Sequence, residues 1–183
     1  MDQIIETRLV VPTGGYERID LELVPKEGGQ ARLKTAASSG AGPIDIVGGQ
    51  HPDWSRTEAR VYEQFLACVS PKAAKRISLV EATARCTARD MLKYAFVASR
   101  FLQEGQTITV VTYPLHNWRC RWTLRWAFLL RGRWPKLFGL DSNENAHYSI
   151  VQEVILLVVT LIDPFWIWIG LPFVWLANRR VNE

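Results

Sequence analysis

The sequence predicts an α/β fold with a mostly parallel β-sheet, followed by an apolar helical segment at the C-terminus. Four short runs rich in β-branched residues are each followed by glycines or by a polar cluster. Segments with helical periodicity or helix-capping signals separate these runs. Because helices between strands imply right-handed crossovers, we expect parallel strands that are covered by helices.

The composition fits one globular domain with an appendage. The chain has 183 residues, of which 48% are hydrophobic and 22% charged, and its net charge is +4. This mildly basic balance is compatible with nucleic acid, anionic lipid or phosphorylated small molecules. Three cysteines without short spacing argue against a disulfide framework and a CxxC metal site. We predict an α/β domain over residues 1–148 and a hydrophobic helical segment over residues 149–183.

The strands alternate with helical segments along the chain. The predicted strands are Thr7–Pro12, Ile44–Val47, Ile77–Val80 and Thr107–Val111. After the first strand, residues 16–30 are mixed, residues 31–37 favour a short helix and residues 38–43 a loop.

Two capping patterns predict where the central helices begin. Ser55 with Glu58 opens a helix that Ser70-Pro71 ends. Thr87 with Asp90 opens a helix that stops at Gly105. Its apolar face is predicted to comprise Met91, Leu92, Ala95, Phe96 and Leu102. A last domain helix is predicted over residues 118–130.

Polar residues and glycines cluster after the strands, where parallel sheets bind ligands. Gly14-Gly15 and Gly48-Gly49 follow the first two strands, and their N–H groups are candidate donors to an anion. Tight turns are the alternative interpretation. Glu58 and Thr87 are candidate site residues, with helix capping as the alternative.

Two further pairs could carry chemistry. Glu81 ends the third strand, and Arg85 and Arg119 are possible partners for its carboxylate, in a site or in a structural ion pair. His116 follows the fourth strand, with Arg119 three residues later, so one could move a proton and the other hold an oxyanion. A polar loop pair is the alternative. His51 and His147 show no ligand spacing, so no metal site is assigned.

The segment from Asn117 to Lys136 is basic and aromatic. It contains six basic residues and no acid, and Trp118, Trp122 and Trp126 recur every four residues. Either the tryptophans face the core beside a solvated basic face, or the helix lies on an anionic membrane. Nucleic-acid binding ranks behind these and is not expected.

The C-terminal segment favours membrane contact. Residues 154–177 are long enough to span a bilayer, but Asp163-Pro164 argues against a simple transmembrane helix. Three interpretations remain. The segment could form a re-entrant element, or a domain helix over 150–162 followed by an interfacial helix over 165–177, or a hydrophobic docking helix for a partner. The chain start lacks the features of a signal peptide, so we expect a membrane-associated protein with a cytoplasmic folded domain.

Four separated blocks resemble the YdcF/SanA-like family, the domain of unknown function 218. In chain order they are RLVVPTGG, GGQHPDWSRTEARVYEQFL, ISLVEATARCT and VVTYPLHNWRC. The resemblance implies a Rossmann-like three-layer sandwich in a bacterial envelope-related protein that binds a nucleotide-like ligand. The chain departs from the family pattern at Ala84, Cys86, Arg89 and Tyr113.

Carried over by the resemblance, the polar cluster adds Thr112 to the residues above. The implied ligand-binding residues are Gly14, Gly15, Gly48, Gly49, Arg85, Thr87, Thr112 and Arg119. The implied proton-transfer residues are His116, Glu81 and Glu58. The hypothesis is a phosphorylated or nucleotide-like ligand with no cofactor identified; a non-enzymatic membrane adaptor with a degenerate pocket is the alternative.

Overall fold

The structure is a computed structural model. It describes residues 7–20, 22–40, 42–49, 57–81, 87–103, 105–144 and 150–165. In chain order, the elements are β1 (Arg8–Pro12), β2 (Tyr16–Ile19), β3 (Glu22–Pro25), α1 (Glu27–Ser38), β4 (Ile44–Val47), α2 (Glu58–Val69), α3 (Pro71–Ala74), β5 (Ile77–Glu81), α4 (Thr87–Ala98), β6 (Thr107–Val111), α5 (Pro114–Leu129), β7 (Lys136–Leu140) and α6 (Ile150–Ile162).

Five strands form one parallel sheet in the order β5-β4-β1-β6-β7. The chain builds outward from β1 through β4 to β5, then crosses to β6 on the other side of β1. The strand order therefore reverses between β1 and β6, and a crevice at such a point is where open α/β sheets bind ligands. The short strands β2 and β3 pair separately as an antiparallel hairpin.

Helices cover both faces of the sheet, as the predicted fold requires. On one face α4 and α5 pack against alternate strand residues such as Val10 and Val110. On the other, α1 and α2 pack against Leu9, Val11 and Ile46. The Rossmann-like three-layer arrangement follows from this alternation, because each strand buries both of its faces.

The predicted strands are confirmed to within one residue, whereas several helix starts differ. The first helix begins at Glu27 rather than Ala31, so the glycines at 28 and 29 are helical. The helix after β6 begins at Pro114, because proline suits a first helical turn. The hairpin β2–β3, the short α3 and the edge strand β7 were not predicted.

One prediction about a side-chain position was wrong, and one of the two interpretations of the tryptophan stripe is not supported. Phe96, assigned to the apolar face of α4, is 46% exposed. The tryptophan stripe does not supply the core face of α5, which Leu124, Ala127 and Phe128 form instead. Trp118 and Trp122 stack in parallel at 5.6 Å, half-buried beside that face.

A buried ion pair joins β1 to β4 near the amino edge of the sheet. Arg8 donates from Nε and Nη2 to the two carboxylate oxygens of Asp45 at 2.9 and 2.7 Å. Tyr94 on α4 also donates to Asp45, at 2.8 Å. Burial and the Asp45 carboxylate raise the pKa of the Tyr94 phenol well above its usual value.

The C-terminal helix α6 packs against α5 and ends before Asp163-Pro164. Thr123 on α5 donates to the Pro164 carbonyl at 2.9 Å, which fixes the chain just beyond the helix. None of the helices formed by the described residues is long and apolar enough to cross a membrane. The predicted interfacial helix over 165–177 lies almost entirely outside the described residues.

Candidate anion-binding site

The candidate site lies at the carboxyl edge of the sheet, at the reversal between β1 and β6. Thr13 and the first glycine pair follow β1, and Thr112 and Tyr113 follow β6. The segment after β7 carries Ser142 and Glu144 toward the same edge, where Glu144 contacts the residues that follow β6 and Ser142 donates to Glu144.

Four donors converge on one oxygen of Glu144. Glu144 Oε1 accepts from Arg32 Nε at 2.7 Å and from Thr112 Oγ1 at 2.9 Å. The Tyr113 backbone N–H and Ser142 Oγ each donate to it at 3.0 Å. The donors come from α1, from the end of β6 and from the segment after β7, so the fold itself assembles a place for an anionic oxygen.

Arg32 supplies the positive charge of the site. Its side chain is fully buried, and Nη1 donates to the Pro12 carbonyl at 2.8 Å. Its Nη2 has no hydrogen-bond acceptor among the described residues. A Cβ on Gly14 would lie 3.3 Å from both terminal nitrogens of the guanidinium, so a glycine at this position lets the turn pack directly against the buried arginine.

Two hydrogen bonds to Tyr62 on α2 fix the first glycine turn. The Gly14 N–H donates to the Tyr62 hydroxyl at 2.8 Å, and that hydroxyl donates to the Gly15 carbonyl at 3.2 Å. Gly15 has φ +91°, a conformation that favours glycine. Gly29 allows this arrangement, because a Cβ there would collide with the Tyr62 hydroxyl. The Gly14 N–H, predicted as an anion donor, therefore serves the turn itself.

Burial raises the pKa of Tyr62 well above its usual value, against the opposing effect of the nearby Arg32 guanidinium. The phenol consequently stays protonated and can donate to Gly15 throughout the physiological range.

Glu58 lies on the β1–β4 side of the site. Thr13 Oγ1 donates to Glu58 Oε2 at 2.5 Å, and a Cβ on Gly48 would collide with the Thr13 side chain. Thr57, rather than Ser55, is the N-cap of α2, with its hydroxyl accepting from the Arg60 N–H. Glu58 is therefore the first residue of the helix and free of the capping-box role proposed for it. The Gly49 carbonyl accepts from the Glu58 N–H at 3.1 Å.

His116 joins the four-donor group through Thr112. Its Nδ1 lies 3.1 Å from Thr112 Oγ1. Since that hydroxyl donates its one proton to Glu144, it accepts from Nδ1–H. Arg119, one turn further along α5, is also buried, contrary to the solvated basic face considered above.

The structure places the predicted site residues unevenly. Gly14, Gly15, Thr112 and His116 lie in the assembly at β1 and β6. Glu81 ends β5 beside Val47, and Thr87 begins α4, but neither side chain is described. Arg85 lies outside the described residues.

Three residues of the site were missed from the sequence. They are Arg32, Tyr62 and Glu144. An arginine one turn before Ala36 in a predicted helix was the available signal, since that position faces the core. Glu144 offered none, because the strand that carries it to the site was itself not recognised.

No group of acidic, histidine and cysteine side chains among the described residues is arranged to hold a metal ion. Comparison of the chain with models of protein families, with curated proteins and with solved structures finds no match.

Proposed function

We propose that this protein binds a phosphorylated or nucleotide-like small molecule in the crevice between β1 and β6, at a membrane and in bacterial envelope biogenesis. The observation that carries the proposal is the convergence of four hydrogen-bond donors on a single carboxylate oxygen. A phosphate oxygen has the same charge sign and accepts the same donors.

In this proposal Glu144 occupies the position of the ligand's oxygen until the ligand arrives. Glu144 lies four residues beyond the end of the edge strand β7, so it can withdraw without breaking the sheet. The donors on Arg32, Thr112 and Tyr113 belong to the core of the fold and stay in place. A phosphate then replaces one anionic oxygen with another, and the buried guanidinium keeps a counter-charge.

Arg32 Nη2, which lies next to Gly14, would donate to a second ligand oxygen once Glu144 has withdrawn. Lys26 extends along Gly15, with Nζ 3.9 Å from the position of a Cβ on that residue, and adds a further positive charge at the rim. These two cations suit a ligand with more than one charged oxygen, such as a phosphate ester or a pyrophosphate.

His116, Glu81 and Glu58 are the proton-transfer candidates. His116 is favoured over Glu58 because Thr112 connects it directly to the four-donor position. A proton would pass between the ring and a ligand bound there through Nδ1 and the Thr112 hydroxyl.

The test is thermal unfolding of the full chain in inorganic phosphate, pyrophosphate and nucleoside phosphates. Saturation to about 100 times Kd stabilises a protein by about 2.7 kcal/mol, which raises the Tm by roughly 5–10 °C at this size. Arg32→Lys keeps the charge but loses the planar fork, and we expect affinity to fall roughly 10–100-fold. Arg60→Lys makes the same change at an exposed position and should bind as the native protein does.

Glu144→Gln separates binding from displacement. The neutral amide leaves the Arg32 charge uncompensated, so phosphate should raise the Tm of this variant more than that of the native protein. If none of these anions shifts the Tm of either protein, the binding proposal fails.

A non-enzymatic membrane adaptor is the second candidate. It is supported by the outer face of α6, where six large apolar side chains are exposed: Val151, Val154, Ile155, Val158, Leu161 and Ile162. A stoichiometric partner that is retained by His116→Ala and lost with Val154→Asp/Val158→Asp would favour it. Loss of the partner with His116→Ala would favour the ligand-binding proposal instead.

A further inference from the structure

Exposed arginines and aromatic rings form a surface at the amino edge of the sheet, opposite to the anion-binding site. It is built from the ends of α4 and α5 and the turn that leads into β7. We call it the arginine–aromatic surface; its residues are Phe96, Arg125, Leu130, Arg131, Arg133 and Trp134. Leu130 is 66% exposed and Trp134 is 64% exposed, so these apolar groups meet solvent over most of their area.

Guanidinium groups lie over the exposed rings. Arg131 is 4.2 Å from the centroid of the Phe96 ring, and Arg125 is 5.6 Å from that of Trp134. Such pairs place a cation and an apolar ring side by side on one surface. The guanidinium and the ring of each pair both remain accessible to a partner, because the arginines are themselves exposed.

Arg125 and Arg133 also border one shallow depression, together with Trp134 and Pro135. The two guanidinium groups provide hydrogen-bond donors for a phosphate group. The indole beside them is an amphipathic ring of the kind that is enriched at the headgroup level of a membrane.

The charge of this surface is not balanced locally. The chain has no acidic residue from 117 to 140. Within the part of the chain that the structure describes, Arg125, Arg131 and Arg133 form no ion pair. A positive surface with exposed apolar groups is complementary to a surface that is negative and has an apolar interior.

We propose that the arginine–aromatic surface docks this protein on an anionic lipid membrane. The proposal rests on the membrane association proposed above and names the surface and lipid class involved. Single-stranded nucleic acid also binds arginine and aromatic groups. However, the exposed aliphatic side chain of Leu130 provides neither a positive charge nor a ring on which a base could stack. An aliphatic side chain exposed beside Trp134 instead suits insertion among lipid chains.

The test is binding of the full chain to vesicles of phosphatidylcholine, with and without phosphatidylglycerol. Each basic group near an anionic surface is worth roughly a fivefold change in affinity, so Arg125→Gln/Arg133→Gln should lose roughly 25-fold on anionic vesicles. On phosphatidylcholine alone the double variant should equal the native protein. Lys72→Gln/Lys75→Gln removes the same charge from two exposed lysines, in α3 and at its C-cap, and should lose less.

The outcomes separate this inference from the proposed membrane association. Equal binding of the native protein to both kinds of vesicle would leave membrane association standing and overturn the inference. Equal losses for the two double variants would also overturn it, because net charge alone would then explain binding. Binding to neither vesicle would overturn both proposals, and tight arginine-dependent binding to polyuridylate without lipid preference would assign the surface to nucleic acid.

A second variant excludes general damage. Trp134→Ser removes an exposed ring and should weaken anionic-vesicle binding while leaving the Tm unchanged. Unchanged vesicle binding by this variant would contradict the inference.

Discussion

Two buried arginine–carboxylate pairs lie at opposite edges of the same sheet, and they are built differently. At the amino edge, Arg8 and Asp45 both belong to strands inside the sheet. At the carboxyl edge, Arg32 comes from a helix and Glu144 from the segment after the edge strand. Opening the first pair means disturbing β1 or β4, whereas opening the second means moving a short segment.

The distribution of donors also differs between the pairs. The two oxygens of Asp45 share the donors from Arg8 and Tyr94, so the carboxylate serves as a bridge between strands and helix. On Glu144 four donors meet at one oxygen, in the manner of an anion-binding position. The same residue types therefore stabilise the fold at one edge and form a candidate site at the other.

Asp45→Asn should have the largest effect on stability. Removing one charge of a buried pair costs about 3–5 kcal/mol, because the remaining guanidinium stays buried without a counter-charge. The measurement is the free energy of unfolding in urea. Phosphate should not restore it, since Arg8 and Tyr94 are buried between packed strands and α4, with no short segment beside them that could withdraw to admit an anion.

Glu144→Gln is the matched comparison for that result. Its loss of stability should shrink as phosphate is added, whereas the loss in Asp45→Asn should stay constant. If phosphate restores both variants or neither, the Glu144 position is no more open to an anion than the Asp45 position.

The two buried tyrosines should separate the same regions at a smaller magnitude. Tyr62→Phe leaves the Gly14 N–H without its acceptor, and Tyr94→Phe removes a donor to Asp45; each should cost about 1–3 kcal/mol. Only Tyr62→Phe should also weaken phosphate binding, because it releases the glycine turn beside Arg32. Calorimetric titration with phosphate checks this, and equal affinities in the two variants would contradict it.

The sheet was predictable because its strands carry their own signal. Ile44–Val47 and Thr107–Val111 are short β-branched runs, and glycine or polar turns bound them. β7 has the sequence KLFGL, with no β-branched residue, a glycine and a half-exposed edge, so tertiary pairing with β6 creates the strand. An element defined by its neighbour leaves a weak local pattern.

The site was predictable only in part, for a related reason. Glycine turns and His116 stand at strand ends that the sequence reveals. Arg32 is placed by a helix whose start was misjudged, because Gly28 and Gly29 normally end helices rather than begin them. Gly29 is required because any side chain there would collide with the Tyr62 hydroxyl. That contact exists only when α1 and α2 are packed together, so the sequence alone does not reveal it.

Alkaline pH should weaken both regions through these tyrosines. Burial raises the folded-state pKa of Tyr62 and of Tyr94 above the unfolded value of about 10. The stability that each contributes is present below that pH and is lost as pH rises toward the folded-state pKa. Each tyrosine should lower the free energy of unfolding by about 1.4 kcal/mol per pH unit above about pH 10. Urea unfolding from about pH 9 to about pH 11 checks this, and either Phe variant should reduce the slope.

The smallest effect is expected where an ion pair is exposed. Arg60 and Glu63 on α2 approach to 2.6 Å, but their side chains are 60% and 32% exposed. Water already solvates both charges, so Glu63→Gln should cost about 0.2–1 kcal/mol and the cost should fall as salt is added. Urea unfolding at low and high salt gives this value, which sets the scale for the buried pairs. A loss as large as that of Asp45→Asn would mean that burial does not distinguish these contacts, and the contrast between the two edges of the sheet would lose its physical basis.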